Sequence, residues 1–190
     1  MSIALAVRKN NKIVLATDSL TTFGSLKVDA PNFVTTKVMK HSGSLITGTG
    51  WSKYDDILDD YLATKKSAKL DSPRVIFNFF HELWTEMHKR YSFVNDQSDD
   101  KESPFGSLDS SFLVVNGAGI FHISSNMSIT KFEQYIAIGS GQDYALGVLF
   151  ALYSSRASAE TVAKNAVLAA INFDIYCGGK VNVFSIKQKK

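Results

Sequence analysis

The chain has 190 residues, 45% of them hydrophobic and 21% charged, and a net charge of +3. No apolar run is long enough to span a bilayer, and the mean hydropathy is −0.03, which argues against a helical membrane protein. Lys and Arg are scattered apart from the Lys187-Gln188-Lys189-Lys190 tail, which argues against nucleic acid as a partner, and the single cysteine, Cys177, excludes an internal disulfide and suits a reducing cytoplasm.

A chain of this size and apolar fraction is expected to form one domain over residues 1–190 with a substantial core. Its first apolar stretch, Ser2 to Val7, is short and followed by Arg8 and Lys9, so no signal peptide is expected. Ile3, Leu5 and Val7 alternate with Ala4 and Ala6. Ile13-Val14-Leu15-Ala16 follows the turn Lys9-Asn10-Asn11-Lys12, and the pattern predicts a hairpin. Ser19 to Gly24 reads as a polar turn, and Ser25 to Asn32 as irregular. Thr35 to Met39 and Ser44 to Thr47 read as strands around a His41-Ser42-Gly43 turn.

After Gly48-Thr49-Gly50, the spacing of Tyr54, Ile57, Leu58, Tyr61 and Leu62 predicts a helix. A second helix is expected from Ser72, its N-cap, with Pro73 at the first helical position. Phe93 to Gly106 reads as a long exposed loop. Strands are expected at Ser111 to Val115, Gly119 to Ile123, Met127 to Thr130 and Tyr135 to Ile138, then helices from Gln142 to Ser154 and from Ser158, and a last strand at Val181 to Ile186. This order requires two antiparallel sheets face to face with helix pairs outside them, an α+β fold of the four-layer α-β-β-α type.

The first hairpin carries a chemical implication. It brings Asp18, at the end of its second strand, back towards Ser2. Removal of Met1 would leave Ser2 with a hydroxyl and a free α-amine, whose unperturbed pKa of about 7.7–8.0 suits a general base. A nucleophile that carries its own base is a workable catalytic unit. Taken singly, the other polar residues have plainer readings. Asp18 suits a strand-end turn, Lys37 a solvated strand, Ser140 a helix N-cap, Asp174 a turn cap and Cys177 a small buried filler. The four histidines have no ligand spacing, so no zinc site is read.

Ile136-Ala-Ile-Gly-Ser-Gly141 followed by Tyr144-Ala145, and Asp174-Ile-Tyr-Cys-Gly-Gly179 running into Val181-Asn182-Val183, resemble proteasome β-subunits and the smaller bacterial proteasome-like peptidases. The hairpin ending at Asp18 and the Thr36-Lys37-Val38 strand fit the same N-terminal-nucleophile hydrolase family in order and spacing. The resemblance implies a threonine-peptidase-like endopeptidase in which Ser2 stands at the nucleophile's position. It implies that Asp18 orients Lys37, that Lys37 lowers the pKa of the nucleophile, and that Ser140 and Asp174 hold the amine and a water. Gly50 is the N–H expected to stabilise the oxyanion, and Thr22 and Thr49 are expected to bind the substrate backbone. The departures are Ser for Thr at position 2 and Cys177 where the family has a serine.

The family implies further expectations. No organic cofactor is required, and the carbonyls of Ile171, Asp174 and Cys177 form a turn that can hold a structural monovalent or divalent cation. The substrate is a peptide or unfolded polypeptide, the assembly a homo-oligomer of stacked rings, and an ATP-dependent unfoldase an optional partner; neither nucleic acid nor membrane is expected. The location is cytoplasmic, and active preparations are expected to begin at Ser2. Two alternatives stay open: a non-catalytic ring subunit of the same fold, and a small-amide N-terminal-nucleophile hydrolase.

Overall fold

Two antiparallel sheets pack face to face, and each carries a helix pair on its outer side. A computed structural model describes residues 2–23, 26–28, 37–65, 67–91, 108 and 110–188. The first sheet has the order β10-β1-β2-β11: β1 is Ile3–Lys9, β2 Lys12–Thr17, β10 Tyr135–Gly139 and β11 Asn182–Lys187. The second has the order β5-β6-β7-β8-β9: β5 Val38–His41, β6 Ser44–Gly50, β7 Ser110–Asn116, β8 Gly119–Ile123 and β9 Ile129–Phe132. Helices α1 (Ser52–Thr64) and α2 (Pro73–Arg90) cover the second sheet, and α3 (Gln142–Tyr153) and α4 (Ala159–Phe173) cover the first.

Period-2 alternation divides each strand between two cores. On β1, Ala4 and Ala6 face the inter-sheet layer with Ile13, Leu15, Leu113 and Val115, while Ile3, Leu5 and Val7 pack under Val162, Ala166 and Ala170 of α4. On β6, Ile46 meets the α1/α2 layer with Phe80 and Phe112, while Leu45 faces the other sheet. Alanines of α4 (Ala159, Ala163, Ala166 and Ala170) allow it to approach the first sheet closely, whereas aromatic rings fill the space over the second. The caps follow the sequence signals: Ser72 accepts from the Val75 N–H, and Ser158 from the Thr161 N–H at 3.2 Å.

The four-layer α+β sandwich expected from the order of elements is the fold of the chain. Three details differ. The polar stretch after Asp18 contains a two-stranded sheet, β3 (Thr21–Phe23) with β4 (Leu26–Val28), where a turn and irregular chain were expected. Gly48-Thr49-Gly50 continues β6, because Gly48 to Gly50 pair with Phe112 to Ser110 of β7 and this pairing outweighs low intrinsic strand preference. The strand expected at Met127 to Thr130 lies at Ile129–Phe132. Residues 35 and 36 of an expected strand, and the loop expected over 93–106, lie outside the described residues.

Candidate active site

The register of the first sheet brings three of the expected site residues together. Ala4 is opposite Thr17 and Ile3 is opposite Gly139, so Ser2 sits at the end of β1 beside Asp18 on one side and Ser140 on the other. Asp18 is fully buried. Its Oδ1 accepts from Ser2 Oγ at 3.1 Å, from Lys37 Nζ at 2.6 Å and from the Ile3 N–H at 3.4 Å. Its Oδ2 accepts from the Gly178 N–H at 3.0 Å. A buried carboxylate is stable only when paired and hydrogen-bonded, and Asp18 meets both conditions.

Lys37, immediately ahead of β5, reaches across from the second sheet. Its ammonium donates to Ser2 Oγ at 2.5 Å as well as to Asp18, closing a triangle of hydroxyl, carboxylate and cation. Ser2 itself is 7% exposed. The cation therefore touches the oxygen that would gain charge on losing its proton, and the carboxylate fixes the cation.

A second group lines the other side of Ser2. Ser140 Oγ donates to the Ser2 carbonyl at 3.5 Å. Asp174, the C-cap of α4, accepts from the Tyr176 N–H at 2.9 Å and from the Cys177 thiol at 3.3 Å. Burial opposes ionisation of Asp174, but the hydrogen bonds from Ser140, Tyr176 and Cys177 together hold its carboxyl below the ordinary aspartate value. Burial, and then the Asp18 carboxylate, push Cys177 up to about 12, so it stays a neutral thiol donor.

Gly139 has φ +102°, and a side chain there would collide with the Ser2 carbonyl. The Gly-Ser-Gly segment thus serves two ends: glycine lets the chain pass Ser2, and serine faces it.

The remaining expected residues are more dispersed. Gly50 ends β6 with φ +128° and is exposed, and Trp51 after it is 69% exposed. Thr49 is buried and its methyl faces Gly139, so its side chain points between the sheets. Thr22 is half-buried in β3, opposite Lys27. Among the described residues, no group of three or more His, Cys, Asp or Glu side chains could hold a metal. The Ile171, Asp174 and Cys177 carbonyls are a different donor set. Ile171 belongs to the last turn of α4, whose carbonyls lack intrahelical partners, and the Asp174 carbonyl accepts the Cys177 N–H at 3.0 Å. Hard carbonyl oxygens at a helix end suit a hard cation.

Sequence reasoning passed over two participants and one perturbed carboxyl near them. Gly178 and its N–H to Asp18 had a signal, the Gly178-Gly179 pair. Gly139 had one in the Gly-Ser-Gly run. Asp55 had none beyond its place in the first turn of α1; burial, then the neighbouring Asp56 charge, raise its carboxyl to about 6.

Comparison with known proteins places these features in context. A family model described as proteasome subunit matches residues 98–186. The ATP-dependent protease subunit HslV of Roseobacter denitrificans is 25% identical over 184 residues, covering 96% of this chain and 91% of that protein. The structure of Thiobacillus denitrificans BPH in complex with epoxomicin superimposes with a TM-score of 0.90 at 29% identity, covering 99% of this chain and 100% of that one. HslV from Trypanosoma brucei, 19% identical over 98% of this chain and 99% of that one with a TM-score of 0.72, shares the fold.

Proposed function

We propose that this chain, which belongs to the proteasome-like family of N-terminal-nucleophile hydrolases, hydrolyses peptide bonds with Ser2 as nucleophile after loss of Met1. The observation that carries this reading is the contact of the Lys37 ammonium with Ser2 Oγ, 2.5 Å away, with Asp18 behind both. Ser2 Oγ attacks the carbonyl carbon and its proton passes to the α-amine of the same residue. Lys37 stabilises the charge on Oγ as the proton leaves, and the Gly50 N–H receives the oxyanion. The tetrahedral intermediate collapses, the protonated α-amine gives its proton to the departing amine, and an ester to Ser2 remains. Water, deprotonated by the α-amine, then hydrolyses that ester and restores Ser2.

Ser140 and Asp174 position the α-amine and the water. Thr22 and the Thr49 backbone hold the substrate as an added strand, since the Thr49 side chain points inward. No organic cofactor takes part. A structural cation on the Ile171, Asp174 and Cys177 carbonyls would fix the turn that carries Cys177 and, next to it, the Gly178 N–H.

The working assembly is a homo-oligomer of stacked rings in the cytoplasm acting on unfolded polypeptide or peptides. The Roseobacter relative is an ATP-dependent subunit, and an ATP-driven unfoldase is the corresponding partner proposed here. No helix among the described residues is long and apolar enough to cross a membrane.

The reading is tested by intact mass together with a fluorogenic-peptide assay. Protein starting at Ser2 should turn over peptide, epoxomicin should inhibit it, and Ser2→Ala should be inert while still assembled. Full activity in a population that wholly retains Met1 would remove Ser2 as an N-terminal nucleophile.

A further inference from the structure

The two oxygens of the Asp18 carboxylate have different surroundings. Oδ1 accepts from Ser2, Lys37 and the Ile3 N–H, whereas Oδ2 is met, among the described residues, by the Gly178 N–H alone. Rotation about the last bond of an aspartate side chain has only broad preferences, so torsion does not fix the plane of the carboxylate. The bond from Gly178 does. Whatever holds Gly178 in place therefore sets how squarely Oδ1 faces Lys37.

Gly178 and Gly179 have no side chains to anchor them, and Gly179 has φ +72°, so their turn is held by its hydrogen bonds. The partners come from the residues just after Asp18. The Ser19 and Leu20 N–H groups donate to the Gly178 carbonyl at 3.2 and 3.0 Å. Two bonds to one oxygen fix a point and leave the turn free to tilt. A third fixes the tilt: the Lys180 N–H donates to Ser19 Oγ at 2.7 Å. The fit is close, since a Cβ on Gly179 would collide with that same Oγ. The plain reading of Ser19 is a turn hydroxyl that satisfies a backbone N–H. Lys180 is exposed, however, so water can serve its N–H equally well, and stability alone does not require the serine.

We infer that Ser19 is a positioning residue of this site: through Lys180 and Gly178 it orients the Asp18 carboxylate, and through Asp18 the Lys37 ammonium on Ser2 Oγ. Water in place of the hydroxyl satisfies Lys180 but does not hold the turn, because it is not tied to the residue beside Asp18. The inference rests on the peptidase reading above and deepens it by adding a residue outside the triangle of Ser2, Asp18 and Lys37.

Ser19→Ala should lower kcat for a fluorogenic peptide at least about tenfold, because small misplacements of a catalytic group cost this much. KM should stay within about twofold, since the bonds to the Gly178 carbonyl remain and keep the root of β3, with Thr22, in place. The melting temperature should be nearly unchanged. Ser19→Thr, which keeps the hydroxyl, should retain kcat within about threefold. An unchanged kcat in Ser19→Ala, or a loss of kcat that only follows a loss of folded protein, overturns the inference.

A second arm needs no turnover. Urea titrations compare the stability lost on Lys37→Ala in the wild-type chain and in Ser19→Ala. If Ser19 sets Asp18 against Lys37, part of that pairing is already undone in Ser19→Ala, and the effect of Lys37→Ala on the folding equilibrium constant should be at least about fivefold smaller there. Such coupling supports the inference even if no peptide is cleaved, an outcome that would sink only the peptidase reading. Effects that add within about twofold in the equilibrium constant overturn it.

Discussion

Lys37 is the residue on which the proposed chemistry and local stability both depend. Its side chain is 15% exposed and its partner Asp18 is fully buried. Removing the cation leaves Asp18 with Ser2 and two backbone N–H groups, but no countercharge. Lys37→Ala should abolish peptide turnover and lower stability by about 3 kcal/mol at neutral pH, read by urea titration. Adding Asp18→Asn should recover part of the stability and none of the activity. Most of the wild-type rate surviving in Lys37→Ala would refute the role given to this lysine.

Asp55 adds a pH-dependent term. Its folded value of about 6 exceeds the ordinary 3.8, so between these values the folded chain binds more protons than the unfolded one. Stability from this group therefore falls as pH rises through that window, and the cost is complete above pH 6. Asp55→Asn should match wild type near pH 4 and exceed it by on the order of 2 kcal/mol at neutral pH, as measured by denaturant melts at both values. A constant difference across pH would mean that the carboxyl does not titrate as described.

Among the elements, the junction of β10 with β1 sets the site geometry. Gly139 occupies the left-handed region against the Ser2 carbonyl, so Gly139→Ala must move one strand end or the other. It should cost activity at least about tenfold with a disproportionately small loss of melting temperature. Gly147, inside α3 with open space around it, is the control. Gly147→Ala should stabilise the fold by about 0.5–1 kcal/mol through helix propensity and leave peptide turnover within about twofold of wild type.

At the scale of the whole molecule, α3, α4 and the turn after α4 carry most of the large apolar side chains that are exposed among the described residues. Tyr144, Phe150, Leu168, Phe173, Ile175 and Tyr176 are exposed there, and Phe150 and Phe173 are 78% and 69% accessible. Exposed apolar side chains of this kind call for a cover, and in the proposed ring assembly the cover is a second copy of the chain. Native mass spectrometry at micromolar concentration should give a closed oligomer, and Phe150→Glu with Phe173→Glu should reduce it to smaller species. A wild-type monomer would contradict the assembly.

The periodicities of residues 3–17 and 142–173, the caps Ser72 and Ser158, and the order of strands and helices were sufficient to specify the layers, since local spacing reports which face is buried. The likeness of Gly139-Ser140-Gly141 and the Asp174–Gly179 turn to known motifs pointed to the site, and Ser2, Asp18 and Lys37 meet there as that likeness implied. The hairpin of β3 and β4 was hidden in a polar stretch, because its pairing depends on a partner strand and not on a hydrophobic pattern. The inward aim of Thr49 and the bond from the Gly178 N–H to Asp18 depend on contacts between residues far apart in sequence, which no local pattern records. Asp55 is the clearest case. In sequence it is one acid among several at a helix start, and only the packing of α1 against Gly48 and Phe112 of the second sheet makes it a half-buried carboxylate with an altered proton affinity.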